Sequence, residues 1–132
     1  MKMKETHHVW LTDQALDALE KLKLLAGDSQ YVLPNRKGGI ISDATINKAF
    51  RDAGYDGEAK PRQTAHGFRH LISTELNERG YKSDWIEAQL AHKVTNVRGV
   101  YNHAVYLPQR AEMMQEWADL IDSKVSNLIL EF

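Results

Sequence analysis

Residues 64 to 71 read TAHGFRHL and bring two imidazoles and a guanidinium together at His66, Arg69 and His70. A helical pattern of apolar residues begins at the same place. The first turn of a helix has free backbone N–H groups and a partial positive charge, which favour a bound anion. A guanidinium binds phosphate oxygens in pairs, and an imidazole can also move a proton. The stretch therefore favours a phosphate site, although a capping His66 and a surface ion pair at Arg69 would explain the same residues.

Two further residues with useful chemistry follow downstream. His92 stands at the end of an amphipathic segment, and Tyr101 comes nine residues later in VTNVRGVYNHAVY. Each residue alone is more typical of packing, so their order along the chain carries the information.

Helical segments position most of these residues. Apolar side chains at three- and four-residue spacing predict helices in five stretches. These stretches are DQALDALEKLKLLA, DATINKAFRDA, AHGFRHLISTELN, WIEAQLA and LPQRAEMMQEWADLIDSKV. Thr12, Ser42 and either Ser83 or Asp84 stand where N-caps are expected.

Two short stretches predict strands. KETHHVWLT ends in β-branched and aromatic residues, as the second half of a hairpin would, and YVLP is a short apolar run ended by Pro34. We therefore expect an α+β fold that is mainly helical, with a small N-terminal β-sheet remnant.

Composition narrows the possible functions. The 132 residues are 42% hydrophobic and 27% charged, which suits one globular domain. The chain has neither an apolar run of about 20 residues nor the apolar core of a signal peptide, so we expect a cytoplasmic protein that does not enter the membrane. The chain contains no cysteine, which excludes disulfides, thiolate metal sites and a cysteine nucleophile.

Charge is spread unevenly along the chain, whose net charge is −1. Residues 60–103 carry seven Lys and Arg against four Asp and Glu, together with four histidines. Residues 1–59 carry eight basic against nine acidic side chains, and residues 104–132 carry two against five. A local basic region can bind a polyanion although the whole chain is nearly neutral.

The order of these motifs resembles the catalytic domain of the tyrosine recombinases, the phage integrase family. The matching motifs are His66-x-x-Arg69, LAHK with His92, and VYNHAVY with Tyr101. MKMKETHHVWLT resembles the hairpin strand that carries the family's catalytic lysine, here Lys2, eight residues before a usual proline that is Trp10 here. YVLPN, TINKAF and YNHAVYLPQRAEMMQEWADLI resemble the prophage integrase branch, so the resemblance covers about residues 2–122.

This resemblance implies site-specific DNA recombination and integration. Tyr101 would attack a DNA phosphodiester, giving a 3′-phosphotyrosyl link and a free 5′-hydroxyl. Arg69 and His92 would stabilise charge on the phosphorane, His66 would hold the phosphate and accept the tyrosine proton, and Lys2 would protonate the leaving oxygen. No cofactor and no metal are expected, because bond energy is conserved and cationic side chains replace the metal.

The resemblance also implies partners and a location. We expect contacts to DNA from basic side chains of the middle region. These are Lys60, Arg62, His70, Lys93 and Arg98. The partners would be double-stranded DNA at attachment sites and, for the full-length protein, further copies in a tetramer. The protein would act in the bacterial or phage-infected cytoplasm, at the nucleoid.

One departure from the family pattern lowers the expected activity. The family has a further arginine in a T-G-x-R stretch upstream of the hairpin, and this sequence has none. We therefore expect a partial catalytic domain over residues 1–122 that lacks its upstream part, followed by a tail over residues 123–132. Gly67 also stands where many relatives have aspartate, although HGFRH occurs in the integrase branch.

Two other functions stay open at this point. A non-catalytic DNA-binding or regulatory module could keep the integrase fold without turnover. A histidine-based metal protein is the third possibility, but His7 and His8 are adjacent and would point to opposite faces of a strand. His66 and His70 are one helical turn apart without an evident third ligand. Elemental analysis of the purified chain separates this last function from the other two.

Overall fold

The computed structural model describes residues 6–91 and 106–130, and this part of the chain is mainly helical. The described helices are α1 (Asp13–Ala26), α2 (Asp43–Asp52), α3 (Ala65–Glu78), α4 (Ser83–Leu90) and α5 (Leu107–Leu130). The five predicted helices are thereby confirmed. Helix α5 continues through residue 122, where the sequence suggested the end of a domain, and that division stays a prediction.

Local signals set most helix ends. Thr12 Oγ1 accepts a hydrogen bond from the Ala15 N–H at 3.2 Å, and Ser42 occupies the N-cap position of α2. Gly80 follows α3 with φ +82°, a left-handed conformation that glycine adopts without steric cost.

The predicted cap of α4 is wrong. Lys82 occupies the N-cap position, and the helix itself begins at Ser83. The Ser83 hydroxyl points back to α3 and donates to Asn77 Oδ1 at 3.2 Å.

The predicted N-terminal β-sheet remnant is also wrong for the described residues, none of which belongs to a strand. A strand needs a partner for its backbone groups, and side chains take that place along residues 6–12. The carbonyl oxygen of His8 accepts from the Arg110 guanidinium, and that of Trp10 accepts from the Gln89 amide at 3.4 Å.

The second predicted strand, YVLP, is reduced to one antiparallel bridge between Pro34 and Ile40. Asn35 turns the chain immediately after it. Its side-chain oxygen accepts the N–H groups of Lys37 and Gly39, each at 2.9 Å. The chain is therefore folded back by an Asn-centred turn before a strand can extend.

The chain divides into two compact units. The first comprises the described residues of Met1–Ala15 and Glu75–Phe132. Its α4 packs against α5 around buried side chains. The buried apolar residues are Leu76, Ile86, Met113 and Ala118. The first turn of α1 is tied to α5 by the Gln14 amide, which donates to the Asp119 carboxylate at 2.7 Å.

The second unit is Leu16–Thr74, and none of its side chains is fully buried. Its helices leave an apolar groove of about 480 Å³ lined by α1, α2 and the chain between them. Leu24 and Leu25 of α1 are 83% and 85% exposed. Among the described residues, no helix combines the length and the apolar character needed to cross a bilayer.

Candidate active site

The first turn of α3 is fixed by two hydrogen bonds that the sequence only partly indicated. The Gly67 N–H donates to Thr64 Oγ1 at 2.9 Å, and the Ala65 N–H donates to Asn47 Oδ1 of α2, also at 2.9 Å. Thr64 rather than His66 therefore caps the helix. The imidazole of His66 is left exposed beside a helix end that is held in place.

Packing sets the direction of the helix. The rings of Phe50 and Phe68 meet with their centroids 5.4 Å apart, which joins α3 to α2. Residues three and four positions apart share a helix face, so His66, Arg69 and His70 project close together. The His66 and His70 rings are nearly perpendicular with centroids 4.8 Å apart, and Arg69 is half-buried. The structure thus brings together the three residues that the sequence singled out in this stretch.

The charge at this helix end differs from that of three of the other helices. Helices α1, α2 and α4 have Asp13, Asp43 and Asp84 in their first turns, whereas α3, like α5, has no acidic residue there. An acidic side chain complements the positive end of a helix dipole. In α3 the first turn carries His66 and is followed directly by Arg69, so an external anion is the complement that this end favours.

Gly67 keeps the cap compact. A Cβ atom at this position would lie 3.2 Å from Gln63 Nε2 and 3.3 Å from Thr64 Oγ1. Both distances are tighter than ordinary packing, so an aspartate here requires Gln63 or Thr64 to move by a few tenths of an ångström. Glycine thus allows a closer cap than the aspartate of the family pattern.

The loop before α3 holds two of the predicted DNA contacts. The Lys60 ammonium lies 4.7 Å from the centre of the Tyr55 ring and 3.5 Å from the Ala53 carbonyl at the end of α2. A cation is favoured at a helix C-terminus, so Lys60 also has a structural role. Arg62 and His70 are exposed. The DNA contacts of all three residues stay predictions.

Five other predicted site residues lie outside the described residues: Lys2, His92, Lys93, Arg98 and Tyr101. Their roles also stay predictions. Within the part of the chain that the structure describes, no three His, Asp or Glu side chains are close enough to hold a metal ion together.

Sequence reasoning missed a buried polar cluster. Arg110 is 1% exposed, and its Nε donates to Gln89 Oε1 at 2.9 Å. Arg110 lies three residues before Met113 and seven before Trp117, on the apolar stripe of α5. A charged residue on an apolar stripe was the available signal.

Comparisons with known proteins show to which family the chain belongs. The sequence model of the phage integrase family matches residues 1–107. The chain belongs to the phage integrase family. The prophage integrase IntZ of Escherichia coli strain K12 is 46% identical over 93% of this chain and 30% of its own length. IntA of the same strain is 42% identical over 98% of the chain and 31% of its own length, and the integrase of Shigella phage Sf6 is 40% identical over 95% and 32%.

This membership confirms the resemblance drawn from the motifs. The chain spans about a third of the length of these curated relatives. No solved structure gives a significant match to it.

Proposed function

We propose that this chain acts in site-specific DNA recombination, by cutting and rejoining a strand through a 3′-phosphotyrosyl intermediate. One observation carries the proposal: His66 and Arg69 project from a capped first turn of α3 that has no carboxylate. This arrangement suits a phosphodiester, because helix dipole, imidazole and guanidinium all favour an anion. Membership of a family whose relatives are named integrases supports DNA as the source of that phosphate.

The proposed reaction conserves the number of phosphoester bonds. The Tyr101 oxygen attacks phosphorus, the bond from phosphorus to the 5′ oxygen breaks, and a 3′-phosphotyrosyl bond forms. His66 accepts the phenol proton, since a tyrosine pKa of about 10 leaves little phenolate at neutral pH. Lys2 gives a proton to the leaving 5′ oxygen. A partner strand's 5′-hydroxyl reverses these steps, so no ATP is consumed.

Fixed donors stabilise the transition state. The phosphorane gathers negative charge on its non-bridging oxygens, and preorganised donors placed around them lower its energy. Arg69 and His92 fill this role in the proposal. The guanidinium of Arg69 can bind two oxygens at once, whereas an imidazole binds one.

DNA contacts place the phosphate. Basic side chains bind the phosphates of double-stranded attachment-site DNA: Lys60, Arg62, His70, Lys93 and Arg98. Recombination requires two duplexes to be brought together. We propose that the full-length protein does this as a tetramer on DNA. The site of action is the nucleoid in the bacterial cytoplasm.

Covalent trapping tests the chemistry. The chain is incubated with nicked duplexes of randomised sequence. When the strand is cut near the nick, the short product strand diffuses away, so the cleavage cannot be reversed. The expected product is an adduct that survives SDS and that peptide mass spectrometry maps to Tyr101. Tyr101→Phe abolishes it, because the ring is kept and the attacking oxygen is deleted, whereas Tyr106→Phe leaves it unchanged. An adduct that persists in Tyr101→Phe, or that maps to Tyr106, identifies a different nucleophile.

The yield of this adduct depends on a second arginine. No T-G-x-R stretch occurs in the 132 residues, and removal of one preorganised donor costs on the order of 10²–10³ in rate. We expect a trace of adduct from the chain alone and a clear yield after fusion behind the preceding part of IntZ. DNA binding without adduct in both proteins contradicts the catalytic proposal and is the result expected of a non-catalytic DNA-binding module.

Salt dependence tests the phosphate contact separately. Each phosphate that a cationic side chain neutralises contributes about −0.9 to the slope of log affinity against log salt. Arg69→Ala should therefore make the slope shallower by about 0.9. Lys21→Ala is the matched control, because Lys21 is exposed on α1 and paired with Asp17 at 2.6 Å. Equal slopes in the two variants contradict the assignment of Arg69.

A further inference from the structure

A buried arginine joins three segments of the first unit. Arg110 of α5 donates from Nε to Gln89 Oε1 of α4 at 2.9 Å and from Nη2 to the backbone carbonyl of His8. Gln89 extends the cluster, because its side-chain amide donates to the Trp10 carbonyl at 3.4 Å. The Gln89 carbonyl in turn accepts from His7 Nε2 at 3.2 Å. The N-terminal segment, the end of α4 and the start of α5 are thereby held to one another.

The cluster buries a charged side chain, which is unusual in a protein interior. Arg110 is 1% exposed, and burial lowers the pKa of its guanidinium. A methionine or leucine would fill the same space without taking a charge out of water. What a guanidinium adds is a rigid planar fork that reaches acceptors on two different segments at fixed angles. The geometry therefore indicates a role in placing those segments, beyond filling the core.

Each segment leads directly to a residue of the proposed reaction. His8 comes six residues after Lys2, Gln89 comes three residues before His92, and Arg110 comes nine residues after Tyr101. Three residues of chain span at most about 11 Å, so the position of Gln89 limits where His92 can lie. The cluster thus joins the three segments that lead, along the sequence, to Lys2, His92 and Tyr101.

Backbone conformation supports the same role. Ala91 and Tyr106, the described residues nearest to residues 92–105 on either side, have φ +54° and +59°. Left-handed conformations are strained for residues other than glycine and persist only where the surroundings impose them. The N–H of Arg110 donates to the Tyr106 carbonyl at 2.8 Å, which fixes one of these two positions.

We propose that Arg110 is a positioning residue for strand cleavage, holding the segment after Lys2 against the end of α4 before His92 and the start of α5 after Tyr101. This role rests on the function proposed above. A misplacement of about 1 Å in a reacting group costs on the order of 10²-fold in rate. Loss of the fork should therefore lower the rate of adduct formation by on the order of 10²-fold, far more than it lowers DNA affinity, because Arg110 is buried and acts through the residues that it positions.

Arg110→Lys tests the proposal, since lysine keeps the charge and loses the planar fork. The first readout is NMR of the full chain, in which the wild type should give a slowly exchanging Arg110 Nε–H signal. In Arg110→Lys the amide signals of Val9 and Leu11 should shift towards unfolded values while the helical circular dichroism is retained. The second readout compares adduct rate with DNA affinity, in the chain and in its IntZ fusion.

Controls separate positioning from general stability. Arg79→Lys makes the same change at an exposed arginine whose partner is Glu75 at 3.7 Å, and it should alter neither readout. If Arg110→Lys unfolds, Arg110→Ala with added methylguanidinium takes its place. Restoration of the Val9 and Leu11 signals and of the adduct rate supports positioning, and failure of methylguanidinium to restore them overturns it.

The outcomes are distinct from those of the proposed function. An Arg110→Lys protein with unchanged signals and adduct rate overturns the positioning role, as does a rate that falls only in step with DNA affinity. Absence of adduct from every protein, the wild type and its fusion included, overturns the proposed function and with it the role of Arg110 in the reaction. The NMR readout still decides in that case whether Arg110 holds the three segments together.

Discussion

Replacement of Thr64 by alanine should loosen the end of α3 that carries His66 and Arg69. The hydroxyl of Thr64 accepts the Gly67 N–H at 2.9 Å in a partly buried site, and loss of an N-cap costs about 1 kcal/mol, within about 0.5–2 kcal/mol. We therefore expect Thr64→Ala to lower the free energy of unfolding by about 1 kcal/mol. Frayed forms of the first turn should become about fivefold more populated.

Asn47→Ala should act on the same helix end. It removes the acceptor of the Ala65 N–H and should cost about 1 kcal/mol. The double variant should lose less than the sum of the single losses, because both bonds hold the same turn. Since His66 and Arg69 lie in or next to this turn, each variant should also weaken DNA binding.

Urea denaturation followed by circular dichroism, with amide exchange of Gly67, measures these effects. Thr74→Ala is the matched control, because it removes the same atoms from an exposed position of the same helix. Alanine is the better helix former, so the control should be neutral or slightly stabilising. Equal unfolding free energies in Thr64→Ala and Thr74→Ala would contradict the role of Thr64 as the cap of α3.

Three further predictions test the fold. Leu76→Ala should lower the unfolding free energy in urea by about 2–5 kcal/mol, since Leu76 is 1% exposed, whereas Leu24→Ala at an 83% exposed position should change it by less than about 0.5 kcal/mol. Ala91→Gly should raise the melting temperature by relieving a φ of +54°, and Ala88→Gly inside α4 should lower it; a loss in both would contradict the left-handed cap. Hydrogen bonds from two glutamines hold the pKa of Asp119 in the folded protein below its ordinary value. The ionised carboxylate therefore stabilises the fold above the pKa that Asp119 has in the unfolded chain. This stabilisation is lost as the pH falls through the pKa of Asp119 in the folded protein. Acid titration of the unfolding free energy should therefore show a larger loss in the wild type than in Asp119→Asn, and equal losses would contradict the assignment.

The helices of this protein could be predicted because their signals are local. Apolar periodicity located all five, and the residues near the start of α3 led to the prediction of a phosphate site there. Strands depend on partners that are distant in sequence. HHVWLT, residues 7–12, has the composition of a strand. Yet two of its carbonyl oxygens, those of His8 and Trp10, accept from side chains more than 70 residues away.

The residues that hold the candidate site in place were harder to predict than the charged residues of the site itself. Asn47 acts on α3 from another helix, 18 residues earlier, and no local pattern reveals such a contact. Gln89 and Arg110 lie on apolar stripes, where the sequence pattern treats them as exceptions to a core. A polar residue on an apolar stripe was informative, but only the structure identifies its partners.

We propose above that Tyr101 attacks a phosphate held by Arg69, His66 and His92. A crystal structure of the chain with cleaved DNA and orthovanadate tests it most directly, because vanadate bridges an attacking and a leaving oxygen in the geometry of the phosphorane. We expect the Tyr101 oxygen at one apex, with Arg69, His66 and His92 donating to the equatorial oxygens. A structure that places Arg69 and His92 on opposite sides of the protein, or another residue at the apex, would contradict it.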